Sequence, residues 1–272
     1  MAELALARFV PPAAASRRLP GVPGAAAVRR AVTRLDRPGP HGSAADVTTL
    51  PEALRRFLAH PRPPVLLGAV GAVAAVRYVR GPLRRRDAVT AAACLGAQPF
   101  VEWAVHRCLL HARPGGALGS IGYQLAGYGH EQHHRDPANL DTMFLRPREV
   151  TAGAAAAVAV ASLAPPTVGT VAVCLGLGAL AYDWTHFLIH TSIRPSSRYY
   201  RRVWRGHRLH HYRNEGYWLG VTSPVADLVL GTAPGRDEVP VSPTATGAIS
   251  RGAARRAPRP APVPPHSLAR PA

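Results

Sequence analysis

Three long apolar runs divide the sequence. Residues 64–76 and 88–101 contain no charged side chain, and residues 151–180 form a longer run that Pro165 and Pro166 interrupt. Because an uninterrupted helix does not easily carry two prolines, the longer run predicts two helices joined by a turn. The first two runs are shorter than the roughly 20 residues of a full span, so arginines at their ends would have to complete the crossing. The pattern predicts an all-α integral membrane protein with about four transmembrane helices in two hairpins.

Polar segments flank this apolar region. Residues 49–52 read Thr-Leu-Pro-Glu, which is a helix-capping pattern, and the amphipathic sequence after it predicts a short helix at a membrane surface. Residues 1–47 mix alanine, proline and paired arginines without sustained periodicity and predict a disordered arm. Residues 233–272 are rich in proline and arginine and predict a disordered tail. One domain is therefore expected over residues 48–232.

Arginine supplies the whole formal charge of +18, since the chain contains no lysine. The arginines flank apolar segments and fill the two ends, as in a protein that lies against a membrane surface, and they do not interleave with aromatics as in a nucleic-acid binder. The three cysteines, Cys94, Cys108 and Cys174, are isolated in apolar surroundings. Neither a disulfide framework nor a paired-cysteine metal site is expected.

Histidines are the chemically informative residues. Ten of the thirteen fall into four clusters. The clusters are His106 with His111, His130 with His133 and His134, His186 with His190, and His207 with His210 and His211. Members three or four residues apart share one face of a helix, so each such cluster can chelate. His106 and His111 are five residues apart, about 140° around an ideal helix, so either the helix distorts before His111 or the two rings reach different metals.

Ten neutral imidazoles are more than one ion can hold, and two ions with about five nitrogens each is the simplest division. Imidazole suits iron, zinc, copper or nickel, and zinc is expected to replace iron in some purified samples. Such a ligand set carries no negative charge, so nearby carboxylates are expected to offset the metal charge. The candidates are Glu102, Glu131, Asp183 and Asp227.

Two hairpins would bring all four histidine clusters to the same side of the membrane, in a helical cap. The arginines that flank this side place it in the cytoplasm, in a bacterial plasma membrane. The arginine-rich loop at residues 77–86 would then face the opposite side, against the positive-inside rule, and a re-entrant first hairpin stays open as an alternative.

Four residues separate His106 from His111, and three separate His186 from His190. His130 and His207 are each followed, after two intervening residues, by two adjacent histidines. This series resembles the fatty acid hydroxylase and sterol desaturase superfamily. The sequences His-His-Arg-Asp-Pro at residues 133–137, Asp-Trp-Thr-His at 183–186 and His-Tyr-Arg-Asn at 211–214 are similar to its fatty acid 2-hydroxylase branch. The residues Gly-Val-Thr-Ser at 220–223 and the stretch 227–232 add to the likeness. The resemblance covers residues 51–232.

This resemblance implies that the ten histidines bind two irons, and that no residue beyond these ligands is needed as a catalytic group. A di-iron centre of this family uses O2 and two electrons to insert one oxygen atom into a lipid chain and release the other as water. Residues 1–47 are too short for the cytochrome b5 domain of some relatives, so a separate donor of ferredoxin or cytochrome b5 type is expected. Carotenoid ring hydroxylases share the spacing and are the alternative, with sterol C–H oxidation; a membrane metal-binding or transport protein is the non-enzyme alternative.

A site at the membrane surface favours a substrate whose chain stays in the lipid while its reactive carbon reaches the metals. An acyl chain oxidised near its polar end meets this condition. Four residues between or after the clusters are candidates for substrate contact or for the surroundings of the metals, and three of them are aromatic. They are Tyr182, Tyr212, Asn214 and Trp218.

Overall fold

The computed structural model describes residues 40–246, apart from the side chains of residues 147 and 148. All regular elements in this range are helices, which confirms the all-α prediction, and a single isolated bridge joins Ser43 to Asn139. Most of the predicted arm and tail, residues 1–39 and 247–272, lies outside the described residues.

The α-helices are, in chain order, α1 (Leu50–Ala59), α2 (Arg62–Val79), α3 (Arg85–Val105), α4 (Gly116–Gly122), α5 (Tyr128–Arg135), α6 (Leu140–Met143), α7 (Pro147–Leu163), α8 (Pro166–His190), α9 (Arg198–Tyr212) and α10 (Val225–Val229). Two π-helical segments, His106–Leu110 and Tyr123–Gly127, directly continue α3 and α4. The predicted capping pattern is present, since the Thr49 hydroxyl accepts a hydrogen bond from the Glu52 N–H. Pro166 begins α8, where the missing N–H of proline costs nothing.

The four long helices correspond to the four predicted apolar segments and pack against one another. Helix α2 lies against α7 and α8, and α3 lies against α8. Small residues allow this close packing: a Cβ on Gly176 of α8 would lie 2.6 Å from Val70 Cγ2 of α2. Helix α8 continues far beyond the apolar run and carries His186 and His190 at its end.

Two of the long helical stretches, Arg85–Leu110 and Pro166–His190, are long and apolar enough to cross a membrane. Helix α7 is apolar but shorter, and α2 has an arginine near each end. Large apolar side chains on the outside of the bundle remain exposed, among them Leu95 and Leu163. This distribution differs from that of a water-soluble bundle, in which the outward face is polar.

A buried polar cluster joins the helices at the end of the bundle remote from the histidines. The Arg77 guanidinium of α2 pairs with Asp87 of α3 at 2.7 Å, and the Thr170 hydroxyl of α8 donates to the same carboxylate at 2.7 Å. Both charged side chains are almost fully buried. The predicted loop arginines thus include one that is folded into the bundle, where its charge is compensated.

Packing extends past both predicted domain boundaries. Before residue 48, Ala44 and Val47 are fully buried in an apolar cluster with Phe57 and Phe187. After residue 232, Val239 and Ala245 are buried, and the Arg213 side chain donates to the Val239 carbonyl at 2.6 Å. Short apolar residues among prolines gave no periodic signal, which is why composition predicted disorder at these positions.

Candidate metal centre

The helix that carries the first histidine pair widens into a π-turn between the two residues. The His111 N–H donates to the His106 carbonyl at 3.1 Å, an i to i+5 bond. A π-turn places residues five apart on one side of the helix, and the two rings stack with centroids 5.1 Å apart. Of the two predicted alternatives, the structure shows the helix distortion, and His106 and His111 lie in the same group of histidines.

The ten histidines form two groups of five, and within each group the possible ligand nitrogens all lie within 4.8 Å of one another. Group A contains His106, His111, His130, His134 and His210. Group B contains His133, His186, His190, His207 and His211. On both α5 and α9 the outer two histidines of the cluster enter one group and the middle one enters the other. The two groups are therefore interlocked, and each helix serves both.

In group A the Nε2 atoms converge. The Nε2 atom of His130 lies 3.2 Å from that of His106 and 3.1 Å from those of His111 and His134. The Nε2 atom of His210 lies 3.1 Å from those of His111 and His134. Nitrogens that share one transition-metal ion at about 2.0–2.1 Å lie roughly 3 Å apart, so the spacing fits a common ion.

Two backbone carbonyls decide the tautomers of two group A rings. His106 Nδ1 lies 2.6 Å from the Leu219 carbonyl and His210 Nδ1 lies 2.8 Å from that of Tyr217. A carbonyl only accepts, so each Nδ1 carries the proton and each Nε2 presents a lone pair. These lone pairs face the other imidazoles of the group, which suits a shared Lewis acid better than a hydrogen-bond network.

In group B the Nε2 atoms also converge, although fewer pairs of them lie about 3 Å apart. His207 Nε2 lies 3.2 Å from that of His190 and 3.1 Å from that of His211. The Nε2 atoms of His133 and His186 are buried without a hydrogen-bond partner among the described residues. Burying unpaired imidazole nitrogens is costly, and an ion at the centre of the group removes that cost.

Burial keeps the imidazoles in the state that a metal requires. Loss of solvent, and secondly the neighbouring histidines, lower the pKa of His130, His133 and His134 well below the usual value. The same causes act on His207 and His211. Neutral imidazole is the ligand form, so the donor set fits two transition-metal ions with five nitrogens each.

Among the described residues, the hydrogen bonds of the four predicted carboxylates go to partners other than the grouped histidines. The Asp227 carboxylate accepts from the N–H groups of Leu219 and Gly220, at 2.9 and 2.6 Å, and Glu102 accepts from those of Val221 and Thr222. Together these two carboxylates fix the backbone segment that contains Leu219, whose carbonyl accepts a hydrogen bond from His106. These carboxylates are positioning residues that act through the backbone.

The other two carboxylates have different partners. Asp183 is buried and forms a double hydrogen bond with Arg62. Glu131 is partly exposed and pairs with Arg135 and with the Tyr123 hydroxyl. Glu131 therefore belongs to the surface of α5, on the side away from the buried histidines.

A glycine and a strained residue shape the loop that carries the two orienting carbonyls. A Cβ on Gly220 would lie 2.1 Å from the Ser223 carbonyl oxygen, so only glycine fits. Trp218 has a positive φ of 52°, which is uncommon for a large side chain, and its N–H donates to the Thr232 carbonyl at 2.8 Å. The reversal at Trp218 lies between the Tyr217 and Leu219 carbonyls that orient His210 and His106.

A cavity of about 350 Å³ reaches both histidine groups. Its wall includes His130 of group A and His186 of group B, together with Arg62, Gln98, Glu102 and Tyr182. Apolar side chains of α3 and α8, such as Val101 and Leu175, also line it. Its volume lies within the range of about 300–1,000 Å³ that is usual for small-molecule sites.

The family comparison covers the part of the chain that carries the histidines. The sequence model of the fatty acid hydroxylase family matches residues 91–232, which is just over half of the chain. The chain belongs to the fatty acid hydroxylase family. The matched segment contains all ten grouped histidines as well as Glu102 and Asp227, and it excludes Arg62.

Curated relatives of this hydroxylase-family chain are 2-hydroxylases, which confirms the resemblance to that branch. A dihydroceramide fatty acyl 2-hydroxylase of Arabidopsis thaliana is 27% identical over 141 residues, which cover 50% of this chain and 56% of the relative. A fatty acid 2-hydroxylase of Mus musculus is 28% identical over 137 residues, covering 49% and 36%. The chain thus spans about half the length, or less, of the relatives it matches.

One solved structure, described as full-length scs7p with only the hydroxylase domain visible, aligns with 66% of this chain and 66% of its own. The TM-score is 0.48 at 24% sequence identity.

The structure separates the four candidate substrate residues of this hydroxylase-family chain. Tyr182 lines the cavity, and its buried hydroxyl has no hydrogen-bond partner among the described residues. Tyr212 lies in a second pocket together with Arg208, whose guanidinium carbon lies 5.3 Å from the centroid of the Tyr212 ring. Asn214 caps the turn to Gly216, accepting at 2.9 Å, and Trp218 shapes the loop. Of the four, Tyr182 alone lines the cavity.

Sequence reasoning missed the residues that act through long-range contacts. The carbonyls of Tyr217 and Leu219 have no sequence signal, because every residue has a carbonyl. The sequence did not distinguish Arg62 from the other arginines, because its partner Asp183 lies 121 residues away.

Proposed function

We propose that this protein is an O2-dependent hydroxylase of a membrane lipid, which oxidises an acyl chain near its polar end with two iron ions, one in each histidine group. The reaction converts C–H, O2, two electrons and two protons into C–OH and water. The observation that supports it best is the cavity whose wall contains both His130 of group A and His186 of group B. An acyl chain bound in this cavity would have a carbon atom near both histidine groups.

When bound, two iron ions would supply the oxygen-activating redox chemistry that amino-acid side chains lack. The protein does the rest. Ten buried, neutral imidazoles hold the ions, and the Leu219 and Tyr217 carbonyls keep two of the rings in the ligand tautomer. The apolar side chains in the cavity wall, such as Val101 and Leu175, would keep water away from the reacting carbon.

We further propose that α2, α3, α7 and α8 cross the bilayer as two hairpins, with the histidine groups in a cap on the cytoplasmic side of a bacterial plasma membrane. The exposed apolar side chains of these helices support lipid contact. Arginine within α2 fits because Arg77 is paired with Asp87 inside the bundle. Electrons come from a separate donor of ferredoxin or cytochrome b5 type.

Lipid profiling of a host with and without the gene tests the reaction. Expression should produce 2-hydroxyacyl lipids that depend on oxygen, and protein purified in mild detergent should contain about two iron ions per chain, with zinc replacing some of them. His133→Ala and His210→Ala should abolish the product, and His41→Ala is the matched control, because His41 lies outside both groups. Unchanged acyl lipids together with hydroxylation of a supplied carotenoid would replace the acyl proposal with the carotenoid alternative.

A further inference from the structure

The wall of the cavity contains a buried ion pair. Arg62 is the first residue of α2, and its Nε and Nη2 atoms lie 2.6 and 2.9 Å from the two carboxylate oxygens of Asp183. The two side chains are 9% and 3% exposed. Arg62 also lines the cavity that reaches both histidine groups. A charged pair is therefore part of the surface that a substrate would meet.

Asp183 uses only part of the hydrogen-bonding capacity of Arg62. A guanidinium has five N–H donors, and the two contacts with Asp183 occupy two of them. The Nη1 atom has no hydrogen-bond partner among residues 40–246. Nη1 is not among the fully buried polar atoms, and Arg62 lines the cavity, so the remaining N–H groups are available to an acceptor oxygen there.

The position of the pair sets a distance to the reaction site. Asp183 and His186 are three residues apart on α8, so they lie on one face of the helix and about 4.5 Å apart along its axis. Arg62 is held by Asp183, and His186 is a member of group B. Arg62 and His186 line the same cavity, so an oxygen bound by Arg62 would lie in the space that reaches group B, with the carbons next to that oxygen held nearest the histidines.

Charge decides which oxygen fits best. Arg62 and Asp183 together are neutral, and the carboxyl group of Glu102 lines the same cavity. A neutral carbonyl accepts a hydrogen bond from Arg62 without disturbing the charge balance of the Arg62–Asp183 pair, whereas a free carboxylate would compete with Asp183 for the guanidinium.

We propose that Arg62 binds the carbonyl oxygen of an ester- or amide-linked acyl group and so determines which carbon of the chain faces the histidines. This inference rests on the proposed function, but the residue itself lies outside the segment that matches the family. Tyr182, whose buried hydroxyl lines the same cavity, is a neighbour of this contact.

Binding by the purified full-length chain in detergent tests the contact without catalysis. The probes are 1-palmitoylglycerol and 1-hexadecylglycerol, which are both neutral and differ in the carbonyl, with palmitate as the charged third arm. We expect the ester to bind roughly tenfold or more tightly than the ether, because the carbonyl accepts a hydrogen bond from a cation. Equal affinities for ester and ether would overturn the proposal, and tighter binding of palmitate would overturn the neutral carbonyl.

Arg62→Lys should reduce the ester preference to about twofold or less, because lysine keeps a charge for Asp183 but loses the planar fork. Arg77→Lys is the matched control: it changes an arginine on the same helix in an equally buried ion pair, remote from the cavity. If Arg62→Lys does not accumulate, the double variant Arg62→Gln with Asp183→Asn replaces the pair by amides. An ester preference that persists in these variants contradicts the proposal.

Product analysis provides the second readout. In an expressing host, Arg62→Lys should lower the share of 2-hydroxyacyl product and raise that of neighbouring positions, whereas Arg77→Lys should leave the ratio unchanged. An ester preference without any hydroxyacyl product would refute the proposed function and leave the Arg62 contact standing. Hydroxyacyl product without an ester preference would have the opposite meaning.

Discussion

Groups A and B have the same donors but differ in what holds their rings. In group A, His106 and His210 each have a backbone carbonyl on the Nδ1 atom. Buried Nδ1 atoms without a hydrogen-bond partner among the described residues belong to three rings of group B, His133, His207 and His211, and to one ring of group A, His134. Rings oriented by hydrogen bonds keep one tautomer and one direction, whereas rings held by packing alone depend on their neighbours.

The supports of the two groups also lie in different parts of the chain. Group A depends on the loop at residues 214–222, which Glu102 and Asp227 fix through backbone N–H groups. Group B lies between the ends of α8 and α9 and the middle histidine of α5. A change in the loop should therefore weaken group A selectively, and this difference can be tested.

The largest effect is expected from removal of one ligand from each group. His210→Ala should reduce the metal content from about two ions to about one by emptying group A, and His133→Ala should do the same for group B. Each variant should lose hydroxylation roughly hundredfold or more, because both ions are needed. Elemental analysis and lipid profiling measure the two effects. Metal content that stays at two in either variant would contradict the division into groups.

Truncation after Gly235 should have the next largest effect. It removes Val239 and Ala245, which are buried, and leaves the Arg213 side chain without the Val239 carbonyl. Because Arg213 and Asn214 lead into the loop of Tyr217, we expect weaker metal binding by group A and a Tm lower by about 4 °C or more. Truncation after Thr246 is the control and should change neither quantity. Equal behaviour of the two truncations would show that residues 236–246 do not support the loop.

Asp227→Asn should have a smaller, selective effect. An amide cannot accept from both the Leu219 and Gly220 N–H groups, so the Leu219 carbonyl should no longer hold His106 firmly. The affinity of group A should fall roughly 10- to 100-fold while that of group B stays unchanged. Competition with a chelator measures both affinities, and the exposed Asp237→Asn is the control. Equal losses from both groups would show that the loop does not act on group A alone.

The smallest effect concerns His60, a histidine outside both groups. Burial, and secondly His41, lower the pKa of His60 from 6.5 to about 4. Between those two values the unfolded chain binds a proton that the folded chain does not, so stability contributed by neutral His60 is lost as pH falls through this window. His60→Gln should flatten the fall of Tm in that range while the metal content stays at two. A parallel pH profile would show that His60 does not contribute.

The histidine pattern predicted the ligand set but could not divide it. Spacing on a helix fixes the angle between two rings, and for His130, His133 and His134 it places them near one face. It does not say that His130 and His134 meet His210 while His133 meets His211, since this depends on how α5 and α9 lie against each other. The helix distortion between His106 and His111 was one of two predicted alternatives. Residues five apart are separated by about 140° around an ideal helix, and this angle alone does not show whether the helix distorts or the rings bind different metals.

By itself, the sequence determined the α-helical class, the four long helices, the ten histidines and the family, because each is encoded in local periodicity or spacing. The tertiary structure alone decided the two groups, the orienting carbonyls of Leu219 and Tyr217, the packing of residues 44–47 and 239–245, and the pairing of Arg62 with Asp183 across 121 residues. These features depend on contacts between segments that are distant in the sequence. The periodicity of one segment does not indicate which other segment it contacts.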